Sequence, residues 1–215
     1  MNHGPTIFLG IFLTFAAAWM GLVFAPYAQL GGLPPVAVDP DDPAAGVYPR
    51  PLSGLAARGR EVYRANGCVY CHSQQIRPEG FGTDIDRGWG PRRTVPRDYL
   101  YDKPHLMGTM RTGPDLTNIG VRRSGADGAA WHHLHLYNPR ITSPGSTMPS
   151  FRFLYDTRRA AGQPSRGALA FPEGSEIEPG MEVVPGEEAR ALVAYLMALD
   201  RTAELEEAEA PPAPR

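Results

Sequence analysis

Cys68-Val69-Tyr70-Cys71-His72 constrains this chain more than any other stretch. It holds the only two cysteines among 215 residues, and a histidine follows at once. Two thiols at this spacing, followed by an imidazole, are the attachment signal for c-type haem. The thiols add across the haem vinyl groups, and His72 is carried under the iron as proximal ligand. A zinc site would want a second ligand pair, and a thioredoxin-like dithiol would want a βαβ setting; neither pattern is visible. One covalently bound haem c is therefore expected on Cys68, Cys71 and His72.

Haem c is attached outside the cytoplasm in bacteria, so an export device is required. Ile7 to Ala25 reads IFLGIFLTFAAAWMGLVFA, nineteen residues without a charge. At the helical rise this covers about 28 Å, close to the ~30 Å of a bilayer's hydrocarbon core. A cleaved signal peptide would have a basic start and an apolar region of only about 7–15 residues. Here Met1-Asn2-His3-Gly4-Pro5 carries no Lys or Arg, and Pro26 would follow a cleavage at Ala25 awkwardly. A retained anchor over residues 1–28 is expected in the bacterial inner membrane. The first Lys or Arg is Arg50, so charge does not orient the span. The haem motif does, by requiring the C-terminal portion to face the periplasm.

Beyond the anchor, residues 29–53 read as a linker, because Gly31-Gly32, Pro34-Pro35, Pro40, Pro43, Pro49 and Pro51 permit no long helix. Residues 54–201 have the size of one ordinary domain. The net charge of −2 argues against a nucleic-acid surface. The 24 Gly and 23 Pro make the chain loop-rich. A buried haem supplies apolar area that side chains do not, which makes so much irregular backbone tolerable. A helix is expected near Leu55–Asn66, closed by Gly67 as a left-handed cap. Loops follow over Ser73–Asn118, then a short helix over Trp131–Tyr137. A last helix is expected over Gly186–Arg201, where Leu192, Val193, Leu196 and Leu199 repeat at helical spacing. Residues 202–215, with Glu204, Glu206, Glu207 and Glu209 before Pro-Pro-Ala-Pro-Arg, read as a frayed, solvated tail.

Helix, haem motif, long loops and closing helix resemble the class I cytochrome c plan. The fold expected is therefore mainly α, one transmembrane helix followed by a class I cytochrome c domain with long loops. In that family the first and last helices cross at near right angles. Here the crossing would set Gly59 and Tyr63 against Leu192, Tyr195 and Leu196.

A closed iron site needs a distal ligand, and a thioether raises the potential where a second imidazole lowers it. The downstream candidates are Met107, Met110, Met148, Met181 and Met197, with His105, His132, His133 and His135. Met148 stands out, flanked by Ser143-Pro144-Gly145-Ser146-Thr147 and Pro149 in a stiff irregular loop, and Met148-Pro149 resembles the distal dipeptide of class I cytochromes. His132 and His135 could share a helix face and bind a metal, or form a solvated or partner-facing cluster. Arg111-Thr112-Gly113-Pro114-Asp115-Leu116 resembles the Gly-Pro-x-Leu segment, in which the proline carbonyl accepts the proximal histidine's ring N–H. By that resemblance Pro114 orients His72. Arg77 and Arg111 lie near these motifs and could neutralise haem propionates, or be ordinary surface charges.

Four ordered segments sharpen the likeness. They are Gly67 to Pro78 (GCVYCHSQQIRP), Tyr99 to Pro104 with Arg111 to Leu116, Trp131-His132 with His135 to Arg140 (HLYNPR), and Ser146 to Phe151 (STMPSF). Together they resemble the mono-haem subunit II of cbb-three-type (C-family) haem–copper cytochrome c oxidases over roughly Leu55 to Leu154. The linker is more proline-rich than that pattern, His105 replaces an aromatic residue, and Asp156–Val184 resembles an insertion.

The resemblance implies an electron relay with no catalytic site of its own. It would pass electrons from a further c-type cytochrome subunit or a soluble cytochrome c to the catalytic haem–copper subunit, which reduces oxygen to water and pumps protons. The partners implied are those proteins and membrane lipid, not nucleic acid. Two other readings remain open. One is the cytochrome c subunit of nitric oxide reductase or of alternative complex III. The other is a haem-based sensor or peroxidase, should Met148 leave the iron open. The arginines Arg87, Arg92, Arg93 and Arg97 are expected to face another subunit.

Overall fold

A computed structural model describes residues 2–174 and 177–208. It divides into two units, residues 1–49 with 96–100, and residues 50–95 with 101–215.

In the first unit, helix α1 runs from Gly4 to Leu30 with a mean hydropathy of 2.3 over its most apolar window, and none of that window is buried. A helix apolar all round with nothing packed on it is long and apolar enough to cross a membrane. It continues through Pro26 to Leu30, two residues beyond the anchor read from sequence. Proline has no N–H to give back one turn, and its ring crowds the carbonyl four residues earlier. The chain absorbs this by widening into a π turn over Met20–Phe24, where the Ala25 N–H reaches back five residues to Met20. The following linker is partly ordered. Strands β1 (Val36–Ala37) and β2 (Val47–Tyr48) pair antiparallel. The carboxylates of Asp39 and Asp42 close the turns between them by accepting the Asp41 and Ala44 N–H groups, each at 2.9 Å. Tyr48 donates to the Asp98 carboxylate in the short 3-10 turn Pro96–Tyr99.

The second unit is built on α2 (Gly54–Ala65) and α6 (Glu187–Met197), whose contact is the largest between any two helices. Val62 and Tyr63 of α2 bury against Leu192, Tyr195 and Leu196. Tyr63 and Tyr195 meet edge to face with centroids 5.4 Å apart. Gly59 makes the crossing possible, since a Cβ there would fall 1.8 Å from the Ala191 carbonyl oxygen and 2.8 Å from the Tyr195 Cβ. Glu187 and Glu188 sit in the first turn of α6, where the helix dipole favours negative charge. The fold is mainly α, as the pattern implied.

Between these helices lie the short α3 (Ile119–Arg122), α4 (Gly125–Tyr137) and α5 (Pro139–Thr142). α4 starts six residues before the Trp131 read from sequence, because Gly125 to Ala130 offers no apolar repeat to announce a helix. Strands β3 (Tyr155–Arg159) and β4 (Met181–Pro185) pair antiparallel on either side of residues 160–180. The buried Glu182 carboxylate ties that segment down, accepting from the Ser165 N–H and hydroxyl, both at 2.6 Å, and from Arg158 Nε at 2.8 Å.

The tail departs from the solvated reading. Leu205 and Ala208 are buried. Arg92, only 3% exposed, donates Nε to the Ala203 carbonyl at 2.7 Å, and Arg93 donates to the Glu207 carbonyl at 2.7 Å. Two of the arginines expected to face another subunit therefore hold this chain's own tail. Of the other two, Arg87 lies over the Trp89 ring at 5.3 Å and Arg97 reaches the Pro34 carbonyl. The acidic and proline residues from Glu209 onward lie outside the described residues.

Candidate functional site

The haem motif begins where α2 stops. Gly67 adopts the left-handed conformation with φ 69°, and Cys68–Tyr70 makes one 3-10 turn. The His72 N–H returns to the Cys68 carbonyl at 3.0 Å, so Cys68, Cys71 and His72 are presented from one tight turn. Cys68 is half-buried and Cys71 exposed.

The segment that receives this turn comes from the Gly-Pro-Asp-Leu loop. The Gly113 N–H donates to the Cys71 carbonyl at 2.9 Å and the Leu116 N–H to the Ser73 carbonyl at 2.8 Å. Asp115, fully buried, clamps the two loops together. Its carboxylate accepts from the Ser73 hydroxyl at 2.6 Å, the Gln75 N–H at 2.8 Å and the Thr117 N–H at 2.8 Å. The Pro114 carbonyl oxygen lies 2.7 Å from His72 Nδ1. A carbonyl can only accept, so Nδ1 carries the proton and Nε2 keeps its lone pair. Burial holds the ring's pKa below its ordinary value, against the opposing pull of that hydrogen bond, and so favours the neutral ligand form. Gly113 is required here, because a Cβ would sit 2.2 Å from His72 Cε1.

Cys68, His72, Pro114 and Met148 line one cavity, closed by Tyr63, Leu116, Ile119, Leu136, Leu192 and Leu196 and by Trp131, His132 and His135 of α4. Met107, Met110, Met181 and Met197 are not among its lining residues, nor is His105. Met148 is set by the loop after α5. A turn closes from Ser146 N–H to the Ser143 carbonyl at 3.1 Å, and Phe151 N–H bonds to the Leu136 carbonyl at 2.8 Å, which pins the loop to the end of α4. An apolar cavity lined by the Cys68 thiol, a neutral imidazole and a thioether, with the exposed Cys71 in the same tight turn as Cys68, has the donor set that haem c needs. The residues present fit that group.

Arg77 and Arg111 do not line the cavity. Both approach Asp84, which is 2% exposed: Arg111 through Nη1 and Arg77 through Nε at 3.5 Å. Arg111 Nε also donates to the Ser73 hydroxyl at 2.8 Å. Burial pushes the Asp84 carboxyl upward, but its bonds from Arg111 and from the Arg77 backbone outweigh this and hold its pKa below the ordinary value. Sequence reading passed over Asp84, Asp115 and Gly113; the adjacency of Gly113 and Asp115 to Pro114 was the available signal.

The α4 histidines diverge. His133 Nδ1 lies 3.2 Å from the Tyr155 hydroxyl, and His135 Nδ1 lies 2.6 Å from the Thr142 hydroxyl while stacking on Trp131 at 4.6 Å. Burial draws all three rings down to about 4, so they are neutral at neutral pH. Among the described residues no group of three His, Cys, Asp or Glu could hold a metal ion.

No curated protein matches the chain. A family described as Cytochrome C oxidase, mono-heme subunit/FixO matches residues 22–171, more than half of it. That span takes in the haem turn, the Pro114 loop, α4 and the Met148 loop, and leaves out of the cavity's lining only Leu192 and Leu196 of α6. The chain belongs to this family of mono-haem cytochrome c oxidase subunits, which makes it an electron-transport subunit of an oxidase and implies a haem and a catalytic partner subunit.

Proposed function

We propose that this chain is a membrane-anchored mono-haem cytochrome c that relays electrons to the catalytic subunit of a cbb-three-type terminal oxidase. The observation that carries the reading is the single cavity lined by Cys68, His72, Pro114 and Met148. Haem c, when bound, supplies a reversible one-electron Fe(III)/Fe(II) couple. The chain's residues do the rest. Cys68 and Cys71 hold the group by thioether bonds. Pro114 fixes the His72 tautomer, so that Nε2 is the free ligand atom. Met148 would offer its thioether as the second iron ligand, a donor that favours the reduced iron and would leave oxygen no binding place. Leu116, Ile119, Leu192 and Leu196 keep water away. α1 would lie in the bacterial inner membrane with the cytochrome domain in the periplasm, beside a further c-type cytochrome subunit or a soluble cytochrome c donor.

Optical spectra of the full-length, detergent-purified protein test this reading. A low-spin spectrum is expected, with the weak red-edge charge-transfer band of a thioether-ligated ferric haem. That band should vanish in Met148→His, and carbon monoxide should leave the reduced wild-type spectrum unchanged. A ready carbon monoxide shift would replace the relay by an open-iron sensor or peroxidase.

A further inference from the structure

The wall that α4 gives to the cavity contains a polar atom with nothing to bond. His132 is 2% exposed and lines the cavity, and its Nε2 has no hydrogen-bond partner among the described residues. A buried ring nitrogen in that position signals a ligand atom absent from the protein itself. The neighbouring ring, Trp131, also lines the cavity and meets His132 edge-on at 5.3 Å. The Arg123 guanidinium, exposed and itself outside the lining, lies over the ring of the lining residue Trp131 at 4.5 Å. The two arginines expected from sequence to meet the haem carboxylates, Arg77 and Arg111, are instead on Asp84 and outside the lining.

We propose that His132 Nε2, with Arg123 beside it, receives a propionate carboxylate of the haem. The inference rests on the haem c reading above. A haem offers hydrogen-bond acceptors only through its two propionates, so the buried ring nitrogen is met by a propionate when Nε2 carries the proton, or by the iron when it presents its lone pair. Two features favour the carboxylate. Met148 already brings a thioether to the cavity from a loop, and the positive charge of Arg123, stacked on the lining residue Trp131, attracts an anion and repels a ferric ion. The bond also sets the potential: a propionate held by a donor and a cation repels an arriving electron less than a free one.

The test compares wild type with His132→Phe, His132→Gln and Arg123→Gln in the full-length holoprotein. Covalent haem content, optical midpoint potential at neutral pH and the propionate bending band in resonance Raman spectra are the readouts. In His132→Phe the ratio of reduced to oxidised haem at fixed ambient potential should fall several-fold and the propionate band should shift, with low-spin haem retained. His132→Gln restores a donor and should recover most of both; a merely structural histidine would not give this pairing. An unchanged potential and band in His132→Phe would overturn the proposal and leave the relay intact. Loss of the low-spin spectrum in both His132 variants would also overturn it, making His132 an iron ligand. Should His132→Phe not accumulate, the exposed Arg123 decides: Arg123→Gln should lower the potential, and no change overturns the proposal. Wild type without covalent haem would overturn the functional reading, and this inference with it.

Discussion

The 2.7 Å contact between His72 Nδ1 and the Pro114 carbonyl joins two segments forty-two residues apart and leaves Nε2 as the ring nitrogen with a free lone pair. It depends on the glycine before the proline, because the imidazole lies where any side chain at position 113 would be. Gly113→Ala is therefore expected to displace His72. The variant should show reduced haem content and a shift away from low spin, measured by pyridine haemochrome and absorption spectra. Overpacking of this kind costs about 1–3 kcal/mol.

Gly59→Ala tests the helix crossing without touching the cavity wall. A Cβ 1.8 Å from the Ala191 carbonyl oxygen cannot be accommodated by a rotamer change, because the obstacle is backbone. Loss of about 3 kcal/mol or more is expected, read as a lowered guanidinium midpoint at unchanged cofactor stoichiometry.

Asp115→Asn keeps the shape but turns one acceptor oxygen into a donor facing groups that already donate. The Ser73 hydroxyl can rotate away, but the Gln75 and Thr117 N–H groups cannot. A loss of about 2 kcal/mol is expected in denaturant titrations, with Asp115→Ala worse.

Acid should loosen the β3–β4 hairpin before the rest of the domain. The bonds from Ser165 and Arg158 lower the Glu182 carboxyl from 4.5 to about 2. A carboxyl depressed in the folded state contributes stability that is complete above pH 4.5 and lost as pH falls towards about 2. Pepsin cleavage within residues 160–180 should therefore rise across that window in wild type. Glu182→Gln should be cleaved readily throughout it, with a flatter pH dependence.

Arg92→Ala removes the donor to the Ala203 carbonyl and opens the packing around Leu205. The expected result is a less stable isolated subunit and faster amide exchange over residues 202–208, with electron transfer in the assembled oxidase unchanged. Loss of turnover without loss of stability would return Arg92 to a partner-facing role.

Local chemistry made much of this protein readable from its residues in order. Two cysteines spaced by two residues with a histidine next, an uncharged run of nineteen residues and an apolar repeat from Leu192 to Leu199 each state their structure within a few positions. The crossing of α2 and α6 was legible because Gly59 and Tyr63 match a known plan. Tertiary structure alone decided the rest, because those choices depend on which distant groups compete for one partner. Arg77 follows the haem motif in sequence and Arg111 opens the Pro114 segment, yet the buried carboxylate of Asp84 draws both guanidinium groups. Arg92 reads as surface charge, and the carbonyl of Ala203, 111 residues away, takes it into the interior. His132 reads as one of three clustered histidines. Only the packing of α4 against the cavity turns its Nε2 inward and leaves it without a protein partner among the described residues. Hydrogen bonds and charges within reach of a few residues can be read along the chain; those that close across loops are settled only when the chain folds.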